Sequence, residues 1–272
     1  MPSRPATFPG QNRTSRAAIV DELRRQLPRM ESLAASRALP FGLAPLDAHL
    51  PQGGLILGAL HDIAPATEVD TPAAFGFLAA LLGRMAPPAH DRASIRQRPV
   101  LLVSSRRALN GHGRPHGHGL NQLGLDPARL ILVETPTEKQ ALWAMEEAVR
   151  CTVPAAVAGL VGKLDLKASQ RLQLAAADAG LPLLMLRTGP TREASAAATR
   201  WRIGTAEAAR DRFGLLVRTR WTVRLDRCRN GRPGEWLVEF DHAAYRFSLA
   251  SPMADPALSC RPGSHAALQR AG

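Results

Sequence analysis

From Leu55 onward, short apolar runs alternate with segments in which apolar residues recur every three or four positions. Alternation of this kind predicts a mainly parallel sheet with helices on both faces, because strands buried on both faces carry few polar residues. The predicted strands cover residues 57–63, 100–104, 130–133, 155–161 and 183–186. The predicted helices cover residues 71–85, 137–150 and 166–179, and Gly180 should end the last of them.

The pattern changes after Arg187. A long strand-like run covers residues 215–228, a turn-forming segment covers 230–234, and residues 236–240 and 245–249 again alternate as strands. Asn-Gly and Pro-Gly pairs between such runs are typical of turns that join antiparallel strands. The sequence therefore predicts an α/β protein whose mainly parallel sheet ends in antiparallel hairpins at the carboxyl-terminal end.

Both ends of the chain lack the alternation of the central part. Residues 1–14 are rich in Pro, Ser, Arg and Asn and predict a disordered leader, and residues 251–272 predict a flexible tail. Between leader and core, residues 15–30 predict an amphipathic helix, which either packs on the core or docks on another protein. We thus expect a leader and helix over 1–40, a core over 41–250 and a tail over 251–272.

Composition narrows the class of protein. The 272 residues, 45% of them hydrophobic, can bury one sizeable core. The chain has neither an apolar run of membrane-spanning length nor an apolar stretch near Met1, so we expect a cytoplasmic protein. The cysteines Cys151, Cys228 and Cys260 lie far apart, which suits a reducing compartment and offers no zinc knuckle.

Positive charge is concentrated in one stretch. The net charge is +12, and residues 187–232 hold twelve arginines against four acidic residues. Cations interleaved with aromatic rings suit phosphate contacts and base stacking on single-stranded DNA. The candidate DNA-binding or partner-binding residues are Arg200, Trp201, Arg202, Arg218, Arg220, Trp221 and Arg224. Two alternatives stay open, namely a solvated sheet face and a protein interface rich in Arg and Trp.

The turn between the first long strand and its helix is where a nucleotide-binding α/β protein carries its phosphate loop. Such a loop needs glycines that bring backbone N–H groups to the phosphates, a Lys, and a Ser or Thr for Mg²⁺. Here Ala64 and Val69 stand at the glycines and Asp70 at the Lys, so only Thr71 fits. Because Glu68 and Asp70 would repel a triphosphate, we expect no nucleotide cofactor.

Several segments in chain order resemble the RecA core. The residues that carry this resemblance are Phe41-Gly42-Leu43, Leu46-Asp47, Gly53-Gly54-Leu55, Ser104 to Asn110, Leu123-Gly124-Leu125-Asp126, Leu130 to Glu134 and Ser169-Gln170-Arg171-Leu172. Among RecA relatives, the chain is similar to the ImuA family. That similarity rests on Arg200-Trp201-Arg202, on Gly231-Arg232-Pro233-Gly234-Glu235-Trp236 and on Phe240-Asp241-His242, and the whole resemblance covers residues 40–250.

The resemblance to RecA also shows which catalytic residues are replaced. Arg106 stands where RecA has the Glu that orients the attacking water, and a cation cannot do this. The carboxylate expected on the fourth strand falls near Gly159, and Asp165 lies too far along the chain to replace it. The first DNA-binding loop of RecA is reduced to residues 162–165 and the second to residues 188–194. We therefore expect a pseudo-ATPase with no catalytic residues.

The resemblance to ImuA implies a role in SOS-induced translesion DNA synthesis and mutagenesis. The implied partners are an ImuB-type Y-family-like protein and an error-prone DnaE-type polymerase, with direct binding of single-stranded DNA left open. Two alternatives remain: a divergent RecA-family ATPase that still binds nucleotide, and a SulA-like inhibitor of cell division that would bind FtsZ.

Three other features suggest chemistry only weakly. His112, His116 and His118 lie in a Gly-rich segment, but no Cys or carboxylate is nearby, so we expect no metal site. Ser104-Ser105 follows a strand without the Gly-x-Ser-x-Gly motif of a nucleophile. The adjacent His61 and Asp62 should point to opposite faces of their strand and cannot act as a pair.

Overall fold

The computed structural model describes residues 37–86, 98–109, 112–188, 193–210, 213 and 215–250, with only the backbone at 209, 210, 216 and 217. The predicted leader, the predicted helix over 15–30 and the predicted tail lie outside these residues. Of the two shortened loops, 162–165 is described in full, whereas 188–194 is described only at its ends.

Twelve strands and six helices occupy the described ranges. The strands are β1 (Ala38–Leu39), β2 (Leu55–Ile56), β3 (Leu60–Pro65), β4 (Val100–Ser105), β5 (Leu130–Thr135), β6 (Ala156–Val161), β7 (Leu183–Arg187), β8 (Thr199–Thr205), β9 (Ala209–Arg210), β10 (Leu216–Cys228), β11 (Gly234–Asp241) and β12 (Arg246–Leu249). The helices are α1 (Ala44–Asp47), α2 (Thr71–Met85), α3 (Arg106–Leu109), α4 (Gly117–Gln122), α5 (Glu138–Arg150) and α6 (Leu166–Ala179). Single 3₁₀ turns cover Pro51–Gly53, Glu68–Asp70 and Pro127–Arg129.

One large sheet organises the described part of the chain. Its strand order is β12-β11-β10-β8-β3-β7-β6-β4-β5, and β9 pairs with β10 off this path. The strands from β5 to β8 are mutually parallel, whereas β10, β11 and β12 are antiparallel to their neighbours. The predicted fold class is therefore confirmed: an α/β protein with a mainly parallel sheet and antiparallel strands at its carboxyl-terminal end.

The two faces of the sheet bury two different apolar clusters. Helix α2 covers an aromatic core that joins Phe41 and Phe77 to residues of β8, β10, β11 and β12. Helices α5 and α6 cover the opposite face over β6, β7 and the start of β3, mainly with aliphatic side chains. Strands β3, β6 and β7 lie between these two clusters and are fully buried, which explains their apolar sequences.

The helix boundaries follow from local capping. The side chain of Asp165 accepts a hydrogen bond from the backbone N–H of Ala168 and so begins α6. Gly180 ends that helix in the left-handed region at φ 62°, as the sequence predicts. Thr137 caps α5 in the same way through the N–H of Gln140. Among the described helices, none is long and apolar enough to cross a membrane.

Strand β8 is the longest element that the sequence pattern did not predict. It pairs with β3 in parallel and with β10 in antiparallel orientation, so it joins the two parts of the sheet. Trp201 and Ile203 point into the aromatic core, while Arg200 and Arg202 alternate with them on the opposite face. Its alternation is short, because Trp201 and Ile203 are the only large apolar residues of β8.

A hydrogen-bonded chain fixes β8 to β3 inside this core. Trp201 Nε1 donates to Thr199 Oγ1, and the Thr199 hydroxyl lies 2.8 Å from His61 Nδ1. His61 Nε2 lies 2.7 Å from the carbonyl oxygen of Ile56, which can only accept, so Nε2 carries the proton and Nδ1 accepts from Thr199. Burial lowers the pKa of His61 to about 4, which keeps the ring neutral.

Candidate functional site

The loop between β3 and α2 lies at the carboxyl end of the parallel strands, and Asp70 holds it closed. The Asp70 carboxylate accepts hydrogen bonds from the backbone N–H of Thr67 at 3.0 Å and from its hydroxyl at 2.6 Å. Its other oxygen accepts from the backbone N–H of Thr205, the last residue of β8, at 2.8 Å. The loop is therefore closed on a side-chain anion that belongs to the chain itself.

These contacts change the chemistry of the loop. The Thr67 hydroxyl, with help from the Thr205 and Thr67 N–H groups, lowers the pKa of Asp70, so the carboxylate is ionised at neutral pH. Glu68 adds a second negative charge, and the Thr71 hydroxyl donates to the Glu68 carbonyl at 2.9 Å. The residue at the Lys position thus uses the backbone N–H of Thr67, which a phosphate bound in this loop would need.

The structure also places Arg106 and Gly159, the two positions that the resemblance matches with catalytic carboxylates of RecA. Arg106 is exposed at the start of α3. Gly159 lies inside β6, where an added Cβ would meet Met145 Sδ at 2.0 Å and Met185 Sδ at 3.2 Å. Core packing from α5 and β7 therefore leaves no room at Gly159 for the carboxylate that would hold Mg²⁺ through water.

The five predicted arginines do come together on the sheet. We call them the arginine face: Arg200, Arg202, Arg218, Arg220 and Arg224. They lie on β8 and β10, and their neighbours in the strands point into the aromatic core on the other side. Arg224 stands directly opposite Arg202 in the register of the two strands.

Each arginine of this face forms an ion pair with a carboxylate, which balances its positive charge. Arg202 and Arg224 both bind Asp226, at 2.9 and 2.6 Å. Arg220 and Arg218 bind Glu239 of β11, at 2.6 and 3.2 Å. Further pairs join Arg218 to Asp241 and Arg200 to Asp62. The count of charges along residues 187–232 misses this compensation, because three of these four carboxylates lie outside that stretch.

Exposure divides the arginine face. The side chains of Arg218 and Arg224 are 43% and 49% exposed, whereas those of Arg200, Arg202 and Arg220 are at most 17% exposed. A ligand that approaches this face would therefore meet Arg218 and Arg224 first.

The two tryptophans of the predicted site lie on the opposite face of the sheet from the arginines. Trp201 and Trp221 are buried in the aromatic core, with ring centroids 5.4 Å from Phe41 and 5.9 Å from Phe77 respectively. Neither ring has an exposed face on which a base could stack. This corrects the expectation of base stacking, because alternation along a strand puts Trp and Arg on opposite faces of the sheet.

A buried ionic group beneath the arginine face was not predicted from the sequence. Asp62 on β3 and Arg187 on β7 are each 1% exposed, and Arg200 reaches Asp62 at 3.4 Å. Burial raises the pKa of Asp62, while the charges of Arg187 and Arg200 oppose that rise. Arg187 also binds Glu193 at 2.9 Å. The prediction that His61 and Asp62 face opposite ways is confirmed, since His61 points into the aromatic core.

The remaining candidates are placed as follows. Ser104 and Ser105 are fully buried, with Ser104 Oγ donating to the Ser105 carbonyl and Ser105 Oγ accepting from the Ala108 N–H. The rings of His116 and His118 are 6.5 Å apart, and His118 contacts Gln122. Within the described ranges, no three His, Cys, Asp or Glu side chains form a group that could hold a metal ion.

Comparisons with known proteins agree with the sequence resemblance. No protein-family model matches the chain. Over 233 residues the chain is 34% identical to Protein ImuA of Caulobacter vibrioides strain NA1000/CB15N, covering 80% of this chain and 90% of that protein. The same values hold for Protein ImuA of C. vibrioides strain ATCC 19089/CIP 103742/CB 15. At this identity and coverage, the chain belongs to the ImuA family.

Proposed function

We propose that this protein is a non-catalytic RecA-like adaptor in SOS-induced translesion DNA synthesis and mutagenesis. In this role it bridges an ImuB-type protein, an error-prone DnaE-type polymerase and DNA in the cytoplasm. Membership of the ImuA family supports the pathway. The partners follow from the resemblance of the sequence to that family.

The main support for a protein that does not hydrolyse ATP is the closure of the strand-to-helix loop by Asp70. A phosphate loop binds its ligand with backbone N–H groups and a cation. Here the ionised Asp70 occupies N–H groups of Thr67 and Thr205, and Glu68 adds repulsion. Gly159 and Arg106 remove the remaining carboxylates that ATP hydrolysis would need. A fold that retains the sheet but not this chemistry is suited to binding other macromolecules.

The proposal is tested by assembling the complex from purified proteins with and without MgATP. The chain should retain the ImuB-type protein and the polymerase together, and MgATP should change neither their affinity nor the stoichiometry. Calorimetry of the chain alone should show no heat with MgATP at micromolar concentrations. Binding of MgATP in that range, or a complex that forms only with MgATP, would favour a divergent ATPase instead.

We assign DNA contact, within this proposal, to Arg218 and Arg224. They are the exposed members of the arginine face, and a phosphate could approach them while Glu239 and Asp226 still hold the inner arginines. Because each cation already has a carboxylate partner, such contact should be weak and strongly dependent on salt.

A further inference from the structure

A groove of about 1300 Å³ runs along the surface between α5 and α6, on the face of the molecule opposite α2. Trp143 of α5 and Leu166 of α6 line it and are 62% and 45% exposed. Leu164 and Leu172 line it too and are buried. The groove is therefore an apolar cleft flanked by two exposed apolar side chains.

Trp143 is not needed to attach α5 to the sheet. Ala141, Met145 and Val149 form the buried stripe of this helix, and Trp143 lies on its outer side. The chain's other tryptophans are buried or half-buried, so Trp143 is the exposed one of the four. A single exposed apolar residue is ordinary, but a Trp beside a concave apolar surface is the usual anchor of a protein interface.

The charged groups of the groove differ in what they already bind. Glu138 accepts from the backbone N–H of Gly162, and Glu146 binds Arg150 and Arg171. The other acidic side chains of the lining are engaged as well, by the α6 cap and by an ion pair with a buried arginine. By contrast, Lys139 and Lys163 are exposed and make no ion pair or hydrogen bond with the described part of the chain. Lys139 and Lys163 are therefore the charged side chains of the lining with which a partner's carboxylates could pair without displacing a contact already made.

We propose that the groove between α5 and α6 is a docking site for an acidic amphipathic segment of a partner protein. Apolar side chains of that segment would pack between Trp143 and Leu166, and its carboxylates would pair with Lys139 and Lys163. The chain's own outer segments have the wrong charge, since residues 1–36 carry six arginines against three acidic residues. The adaptor role above names partner proteins but no surface that binds them, and this groove can bind a peptide whether or not that role is correct.

The experiment selects ligands for the full-length chain from a displayed library of random peptides of about twelve residues, long enough for two turns of helix with apolar anchors. The enriched peptides should combine Leu, Phe or Trp with Asp and Glu. The Trp143→Ala chain should bind them roughly tenfold more weakly or worse, as expected for an anchor residue. Leu174→Ala is the matched control, because Leu174 is an exposed leucine of α6 outside the groove.

Charge reversal tests the second half of the proposal. Lys163→Glu should weaken the same peptides, and peptides with Lys in place of their acidic residues should regain affinity for that variant. Lys167→Glu, on α6 but outside the groove, should leave binding unchanged. The absence of any enriched peptide, enrichment of basic peptides, or full binding by both Trp143→Ala and Lys163→Glu would overturn the proposal. Because all four substituted residues are exposed, thermal unfolding should show that each variant folds.

Discussion

The carboxylate of Asp70 accepts a hydrogen bond from the backbone N–H of Thr205 over 2.8 Å, which ties the start of α2 to the end of β8. The same carboxylate closes its own loop through Thr67. Asp70 therefore plays a structural part at the position where a phosphate loop carries its Lys. A chain with this contact keeps the loop in place without a bound anion.

Replacing Asp70 should cost stability without creating nucleotide binding. Hydrogen bonds to a charged group contribute about 1.5–3 kcal/mol each at most, and the loop would keep part of its order, so Asp70→Asn should cost roughly 1–3 kcal/mol. Urea denaturation measures this change. Asp70→Lys should be at least as destabilising and should show no ATPase activity, because Arg106 and Gly159 are unchanged. Measurable turnover in that variant would contradict the proposal that the protein is a pseudo-ATPase.

The pH dependence offers a control for this effect. The pKa of Asp70 is lowered in the folded chain, so its contribution is present above the ordinary pKa of Asp and is lost as the pH falls through the lowered value. The difference between the original chain and Asp70→Asn should therefore shrink in acid. A difference that stays constant would show that the cost of the substitution does not come from the charge.

His61 should make the fold sensitive to mild acid. Its folded pKa is about 4, below the ordinary value of 6.5, so the unfolded chain takes up a proton first. Stability should therefore fall by roughly 3 kcal/mol as the pH drops from about 6.5 to about 4. His61→Gln can keep contacts with Thr199 and Ile56 but cannot titrate, and it should remove this part of the loss. Equal slopes for both chains in urea denaturation would rule out His61 as the cause.

Gly159 should tolerate no side chain while Met145 stays in place. The added Cβ of Gly159→Ala would meet Met145 Sδ at 2.0 Å, so the thioether must move, at about 1–3 kcal/mol for overpacking. Met145→Ala removes the clash, and a double-mutant cycle should give a favourable coupling between the two changes. Purely additive unfolding free energies would show that the two residues do not compete for the same space. Gly159→Asp, for the same reason, should not restore Mg²⁺ binding.

The sequence predicted helices and strands better than it predicted contacts between segments that are distant along the chain. The helices over 71–85 and 166–179 have the predicted bounds, because their apolar spacing and their end signals are local. Strand β8 was missed because its alternation is short, with Trp201 and Ile203 as its only large apolar residues. The pairing of Arg220 with Glu239 follows from the register of β10 and β11, which a count of charges along residues 187–232 cannot include. The groove beside Trp143 could not be predicted either, because it forms between two helices that are separate in sequence.

The last prediction concerns the exposed part of the arginine face and single-stranded DNA. If Arg218 and Arg224 each neutralise one phosphate, binding should weaken with salt, with a log–log slope of about −0.7 per contact. Replacing both with Ala should reduce the magnitude of the slope by roughly one unit or more, measured by fluorescence anisotropy of a labelled oligonucleotide. Arg150→Ala is the matched control, since Arg150 is an exposed and ion-paired arginine of α5.

Substitution of Glu239 should have the opposite effect on the affinity for single-stranded DNA. Glu239→Gln releases Arg218 and Arg220 from their shared carboxylate, so binding of the oligonucleotide should strengthen at low salt while stability falls. If neither the double Ala variant nor Glu239→Gln changes binding, the arginine face does not contact DNA. In that case the same two variants should alter retention of the ImuB-type protein or the polymerase, because an ion-paired sheet face would then serve as a protein interface.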